Sequence, residues 1–246
     1  MRLLLDLGNT RLKWALQAQP EGWLARGAVD WQDHPAAALA SAWAGLPRPA
    51  RVLAASVVDA AREAQVEAVA QRLFDCAPTW LRTPAHACGV RNAYAEPQRL
   101  GVDRFLAMVA AHADGHAPCL LAGVGTALTL DALAADGRHL GGLIAPGPAL
   151  MQQSLLGATA QVRPERPGVV VELADNTADA VASGCWHAAA ALVERFATRA
   201  TARLGATPQL ILGGGDAASL LPLLSLPTRL SPDSVLRGLA VWADAS

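Results

Sequence analysis

A strand–turn–strand signature that occurs twice constrains this chain more than any other feature. Near the N-terminus, Leu4-Leu5-Asp6-Leu7-Gly8-Asn9-Thr10 runs into an alternating return segment, Arg11-Leu12-Lys13-Trp14-Ala15-Leu16. Past the midpoint, Leu121-Ala122-Gly123-Val124-Gly125-Thr126 runs into Ala127–Leu133 in the same way. A short apolar run that stops at glycine and threonine and then resumes with a period of two reads as a β-hairpin. Each hairpin is followed by further strand and helix patterns, which predicts two similar β-rich lobes, 1–115 and 116–246, in an α/β chain.

Along the chain the patterns predict a third strand over Gly22–Val29, an alanine-rich helix over Pro35–Leu46 and a buried strand over Arg51–Val57. A helix follows over Asp59–Phe74, with Asp59 as its N-cap. Residues 89–97 read as irregular, and a helix begins near Asp103 and runs to about Ala113. The second half gives strands over Cys119–Val124, Ala127–Leu133 and Gly137–Ala145, then a helix near Pro148–Leu156. A proline-rich loop over Arg163–Gly168 precedes a long helix, Thr177–Leu204. The chain closes with a strand over Leu210–Leu212 and two short helices separated by Pro227 and Pro232.

Composition narrows the function classes. The 246 residues are 52% hydrophobic and 17% charged, which are values for a folded globular chain with ample core. Formal net charge is −1 and no basic block occurs, so the footprint expected of a nucleic-acid-binding chain is missing. Cys76, Cys88, Cys119 and Cys185 show neither a C-x-x-C pair nor zinc-like spacing. A reduced, cytoplasmic protein is the expectation. Asp6 interrupts the N-terminal apolar run far short of a signal-peptide core, and no apolar stretch is long enough to span a membrane.

Four short motifs carry chemistry, each with an ordinary structural alternative. In Asp6-x-Gly8-Asn9-Thr10-x-x-Lys13, glycine admits a phosphate close to the backbone and Asn9 and Thr10 supply donors. Asp6 can hold Mg²⁺ directly or through water. Alternation puts Arg11 and Lys13 on one face of the return strand, so Lys13 can point back toward a phosphate. The same residues also suit a plain hairpin turn. Gly125-Thr126, with Thr129 and Asp131 on the following strand, repeats the arrangement. In Gly101-Val102-Asp103-Arg104, Asp103 either caps a helix or accepts the proton of an attacking hydroxyl, with Arg104 neutralising negative charge beside it. Gly213-Gly214-Gly215-Asp216 is either a tight strand-to-helix turn or a backbone surface flat enough for adenine. His112 and His116 are i, i+4 but lack a metalloprotease context and read as surface histidines.

Taken in order, Asp6-x-Gly-Asn-Thr-x-x-Lys13, Leu100-Gly-x-Asp-Arg104, Gly125-Thr-Ala-x-Thr-x-Asp131, Gly141-Gly-x-Ile-x-Pro-Gly147 and Asn176-Thr177 resemble the type III pantothenate kinases, over nearly the whole chain. The resemblance implies duplicated actin-like (ribonuclease H-like) lobes with a nucleotide cleft between them. It implies transfer of the ATP γ-phosphate to the primary hydroxyl of pantothenate, the first step of coenzyme A synthesis. Asp6, Leu7, Gly8, Asn9, Thr10, Arg11, Leu12, Lys13 and Thr126 would then handle ATP, with a divalent ion such as Mg²⁺ at Asp6. Tyr94, Gly101, Val102, Asp103, Arg104 and Thr177 would line the pantothenate pocket, with Asp103 as proton acceptor. A homodimer is implied, with Thr177 supplied across the interface. One departure stands out. The family usually places aspartate two residues before the second Gly-Thr as a ligand for K⁺ or NH₄⁺, and this chain has Gly123 there. Two alternatives stay open: a kinase for another small hydroxylated substrate, and a non-catalytic regulatory protein on the same fold.

Overall fold

The two hairpins nucleate two five-stranded sheets of identical topology. In the computed structural model, which describes residues 1–18, 22–31, 34–159, 162, 164–205 and 207–245, the first sheet contains β1 (Arg2–Leu7), β2 (Arg11–Gln17), β3 (Trp23–Asp30), β4 (Arg51–Ser56) and β5 (Pro78–Leu81). Helices α1 (Pro35–Trp43) and α2 (Ala60–Phe74) flank β4, and a two-strand ribbon of β6 (His86–Ala87) and β7 (Val90–Arg91) precedes α3 (Val102–Ala113). The second sheet contains β8 (Cys119–Val124), β9 (Ala127–Leu133), β10 (His139–Pro146), β11 (Gln209–Gly213) and β12 (Thr228–Leu230). Its helices are α4 (Pro148–Ala158), α5 (Thr177–Leu204) and α6 (Ala217–Leu220), and α7 (Ser234–Ala245) ends the chain. Arg163, the first residue of the expected proline-rich loop, lies outside the described residues.

Strand order is β3-β2-β1-β4-β5 in one sheet and β10-β9-β8-β11-β12 in the other. In both, the hairpin strands pair antiparallel and the remaining strands pair parallel. The likeness extends to individual positions: β1 and β8 share one burial sequence, and so do β2 and β9. Asp6 therefore corresponds to Gly123, and Lys13 to Thr129. The edge strands β5 and β12 were not foreseen from the sequence. They are three or four residues long and bounded by prolines, with too little pattern to register as strands.

Contacts group Met1–Asp114 with the segment from Asp233 onward as one unit, and Gly115–Pro232 as the other. The expected second lobe ran to residue 246; instead the final helix packs in the first unit. The period of two explains why that unit needs it. Leu3, Leu5, Leu7, Leu12, Trp14 and Leu16 face α1 and α2. Leu4, Ala15, Leu53 and Ala55 point the other way and are covered by Leu106 of α3 and Leu236, Leu239 and Ala240 of α7. Each such leucine contributes about 1.5–3 kcal/mol on burial. Contact between α3 and α7 is close because Gly238 has no side chain: a Cβ there would collide with the Leu106 carbonyl. Arg2, buried in β1, fixes the other end of α7 by donating to the Ala240 carbonyl, with an ion pair to Asp244 at 2.7 Å.

In the second unit Leu120, Ala122, Leu128, Leu130, Leu210 and Leu212 pack against Ala189, Ala190, Val193 and Ala197 of α5. The long helix starts at Thr177 and ends at Leu204, as expected. Asn176 caps it by accepting from Asp179 N–H, and Gly205 closes it in the left-handed conformation.

Candidate active site

Alternation carries Asp6 and Lys13 to the face of the first sheet that α3 and α7 cover. They are direct cross-strand partners in the β1–β2 register. Asp103, in the first turn of α3, and Asp233, just before α7, are the nearby acidic charges acting on Asp6. Burial pushes the Asp6 carboxyl up to about 7; the Asp103 charge pushes it the same way, Lys13 opposes, and Asp233 adds to the rise. Asp233 was not anticipated from the sequence, where Pro232 read only as a breaker. It is also ion-paired to Arg26 of β3 at 2.6 Å.

A carboxylate held protonated by its surroundings is one that a cation would stabilise. The oxygen donor and surplus negative charge at Asp6 fit Mg²⁺. Among the described residues no three acidic, histidine or cysteine side chains are grouped to hold a metal.

The sign of the Asp6 shift gives a testable result without ligand. A folded-state value above the unfolded one means that the folded protein keeps a proton between about pH 4 and 7 that the unfolded chain has lost. Stability from this group is present at low pH and is lost as pH rises through the folded value. Urea midpoints of the ligand-free wild type should therefore fall from pH 5 to pH 8, and those of Asp6→Asn should fall less. Parallel pH dependences would show that Asp6 is not so perturbed.

The turn after β1 is tight: Gly8 N–H donates to the Arg11 carbonyl at 3.1 Å. Leu7 and Leu12 are fully buried, so their side chains belong to the core and only their backbone reaches the turn. Gly101 rather than Asp103 occupies the N-cap position of α3. Asp103 sits two residues further in, where its Oδ1 accepts from Arg104 N–H at 2.8 Å. Thr83, which the sequence reading passed over, donates to the Leu100 carbonyl at 2.7 Å and pins the short 3-10 segment that leads into α3. Arg104 is 6% exposed and donates toward the Tyr94 hydroxyl at 3.4 Å. Asn92 braces Tyr94 by accepting its N–H at 3.0 Å and donating to the Pro97 carbonyl. Val102 is buried in the core. The first unit thus gathers Asp6, Lys13, Tyr94, Asp103 and Arg104.

The remaining candidates lie in the second unit. Thr126 is in the β8–β9 turn, where Gly125 N–H donates to the Ala127 carbonyl. Thr177 opens α5 and lines a depression of about 530 Å³ with Leu155, Ala174, Asp175 and Asn176. Asp131 is buried against His139 Nε2 at 2.9 Å. At Gly123 there is no side-chain oxygen, and a Cβ would lie 2.7 Å from Thr129 Oγ1, so the position does not fit a carboxylate-held monovalent cation as it stands. Gly214 has a local reason to be glycine: it packs on the Val124 backbone, whose carbonyl also accepts from Asp216 N–H. His112, expected on the surface, is half-buried with its ring against Gly89.

Comparison with solved structures bears on the fold. A Sinorhizobium meliloti structure assigned as a 2-dehydro-3-deoxygalactonokinase superposes with a TM-score of 0.65 at 14% identity, covering 100% of this chain and 96% of that one. The duplicated sheets are those of the actin-like fold. The sequence profile described as "Type III pantothenate kinase" matches residues 2–199. Type III pantothenate kinases from Aromatoleum aromaticum and Xanthomonas oryzae pv. oryzae are 42% and 45% identical, each over 99% of this chain and 98% and 97% of theirs. The chain belongs to the type III pantothenate kinase family.

Proposed function

We propose that this chain transfers the γ-phosphate of ATP to the primary hydroxyl of pantothenate, giving 4′-phosphopantothenate. Family membership supports the reaction, and the observation that carries the residue roles is the convergence of Asp6, Lys13 and Asp103 on one face of the first sheet. Phosphoryl transfer needs positioning and charge neutralisation more than covalent chemistry. Lys13 and the Gly8-Asn9-Thr10 turn hold the ATP phosphates, and Thr126, in the corresponding β8–β9 turn, is also assigned to ATP. Asp6 holds the divalent ion, which when bound neutralises charge on the phosphates. Asp103 accepts the hydroxyl proton, its rotamer fixed by Arg104 N–H. Tyr94 and Arg104 bind pantothenate, and Thr177 reaches the pocket from the second copy of a homodimer. The four unpaired cysteines suit a reducing cytoplasm; burial pushes the Cys119 thiol up to about 12, which leaves it unreactive. Among the described residues no helix is long and apolar enough to cross a membrane.

A coupled assay of ADP release tests this reading. Turnover should depend on pantothenate, and with Gly123 in place it should proceed at nearly the same rate when K⁺ is replaced by tetramethylammonium at constant ionic strength. ATP turnover indifferent to pantothenate but responsive to another alcohol would assign a different substrate. No alcohol-dependent turnover at all would favour the regulatory alternative. An absolute requirement for K⁺ or NH₄⁺ would mean that other oxygens complete a cation site despite Gly123.

A further inference from the structure

The residue that follows the third strand of each unit grips the turn of that unit's first hairpin. In the second unit this residue is Gly147, whose N–H donates to the Thr126 carbonyl at 2.9 Å. Its lack of a side chain lets it lie directly on the Gly125 carbonyl, where a Cβ would collide. In the first unit the residue at the same place is Trp31, whose N–H donates to the Thr10 carbonyl at 3.2 Å. The first turn is one residue longer, Gly8 to Thr10 against Gly125 to Thr126, and the tryptophan side chain reaches its far end. Trp31 Nε1–H donates to the Gly8 carbonyl at 2.6 Å. From its other side the ring carries the Arg62 guanidinium, 5.4 Å from its centroid, and Arg62 is itself tied to the capped first turn of α2.

We infer that Trp31 is a positioning residue for ATP: it latches the Gly8-Asn9-Thr10 turn at both ends and aims that turn's N–H groups at the phosphates. The reasoning is geometric. In a planar trans peptide the C=O of one residue and the N–H of the next point in opposite directions. Drawing the Gly8 and Thr10 carbonyls toward Trp31 therefore turns the Asn9 and Arg11 N–H groups away from it. A glycine-containing turn would otherwise sample several peptide orientations, and donors fixed in advance cost nothing to reorganise when the polyphosphate arrives. The second unit has glycine where this indole stands, and the Gly147 N–H grips its turn through the Thr126 carbonyl.

This inference rests on the reading of the Gly8–Thr10 turn as the phosphate site, so the test includes Lys13→Ala. Trp31→Phe leaves an aromatic ring for Arg62 and removes the indole donor. Loss of one hydrogen bond should raise KM and Kd for ATP about three- to tenfold, with KM for pantothenate unchanged. If Lys13→Ala weakens ATP and Trp31→Phe does not, the latch is refuted while the phosphate site stands. If neither variant weakens ATP, both readings fall. Equal weakening of both substrates with a lowered melting temperature would make Trp31 a structural residue and overturn the inference. Should Trp31→Phe fail to fold, benzothienylalanine at position 31 replaces the N–H by sulfur in the same shape, and the same ATP-selective loss is required of it.

Discussion

Asp103→Asn should lose about 10²–10⁴ in turnover, the usual contribution of a positioned general base, while its melting temperature and ATP affinity stay near those of the wild type. The prediction is sharp because the structure removes the competing explanation. A helix-capping aspartate would cost stability on replacement, but Gly101 holds the cap position and Asp103 lies inside the first turn. Its backbone contact, Oδ1 accepting from Arg104 N–H, is one that an asparagine oxygen can also make. What the amide cannot do is take a proton. Loss of the Asp103 charge also relieves Asp6 of a neighbour that pushes its carboxyl upward, so divalent-ion binding should not suffer. Single-turnover measurements at saturating ATP would isolate the chemical step. A purified variant within a few-fold of wild type in that experiment would remove Asp103 from the role of base.

Lys13→Ala should weaken ATP far more than pantothenate. A charge-assisted hydrogen bond is worth about 1.5–3 kcal/mol, or roughly ten- to a hundredfold in affinity. A second effect works in the same direction. Lys13 is the cross-strand partner of Asp6 and the cation that holds its carboxyl down. Without it the carboxyl rises further above about 7, leaving less carboxylate for the divalent ion that accompanies ATP. The ATP defect should therefore ease as pH is raised from 7 to 9, which simple loss of a phosphate contact would not produce. Titration of each substrate at both pH values checks both parts. Equal loss of ATP and pantothenate binding would mark Lys13 as structural.

Legibility in the sequence followed the range of the interaction that fixes each feature. The hairpins could be read because glycine, alternation and apolar runs are local, and the long helix because Asn176 and Gly205 bound it at its own ends. Arg11 and Lys13 could be placed on one face from the period of two alone, whereas the pairing of Asp6 with Lys13 depends on the register of β1 against β2. Trp31 could not be recognised, since its effect depends on where the end of β3 arrives beside the β1–β2 turn. Asp233 was hidden for the same reason, at the start of a helix returned from the far end of the chain. Thr83 and Asn92 act through backbone carbonyls and N–H groups in a segment with no regular pattern. The cap at Gly101 was displaced from the aspartate because a Gly-Val-Asp-Arg sequence permits a helix start at either residue.

The return of the last helix to the first unit bears on how the molecule is made. Gly115–Pro232 is one continuous piece of chain, whereas the first unit is assembled from two stretches separated by that piece. The first unit has no such continuity, although its strands emerge earlier. Until the segment from Asp233 onward is released, Leu4, Leu53 and Leu106 lack the apolar partners that α7 brings, and Asp6 lacks Asp233. The half of the molecule translated first is thus the half finished last. A released chain terminated after Pro232 would keep the whole second unit but leave the first one open, exposing an oily sheet face of the kind that chaperones hold and proteases clear.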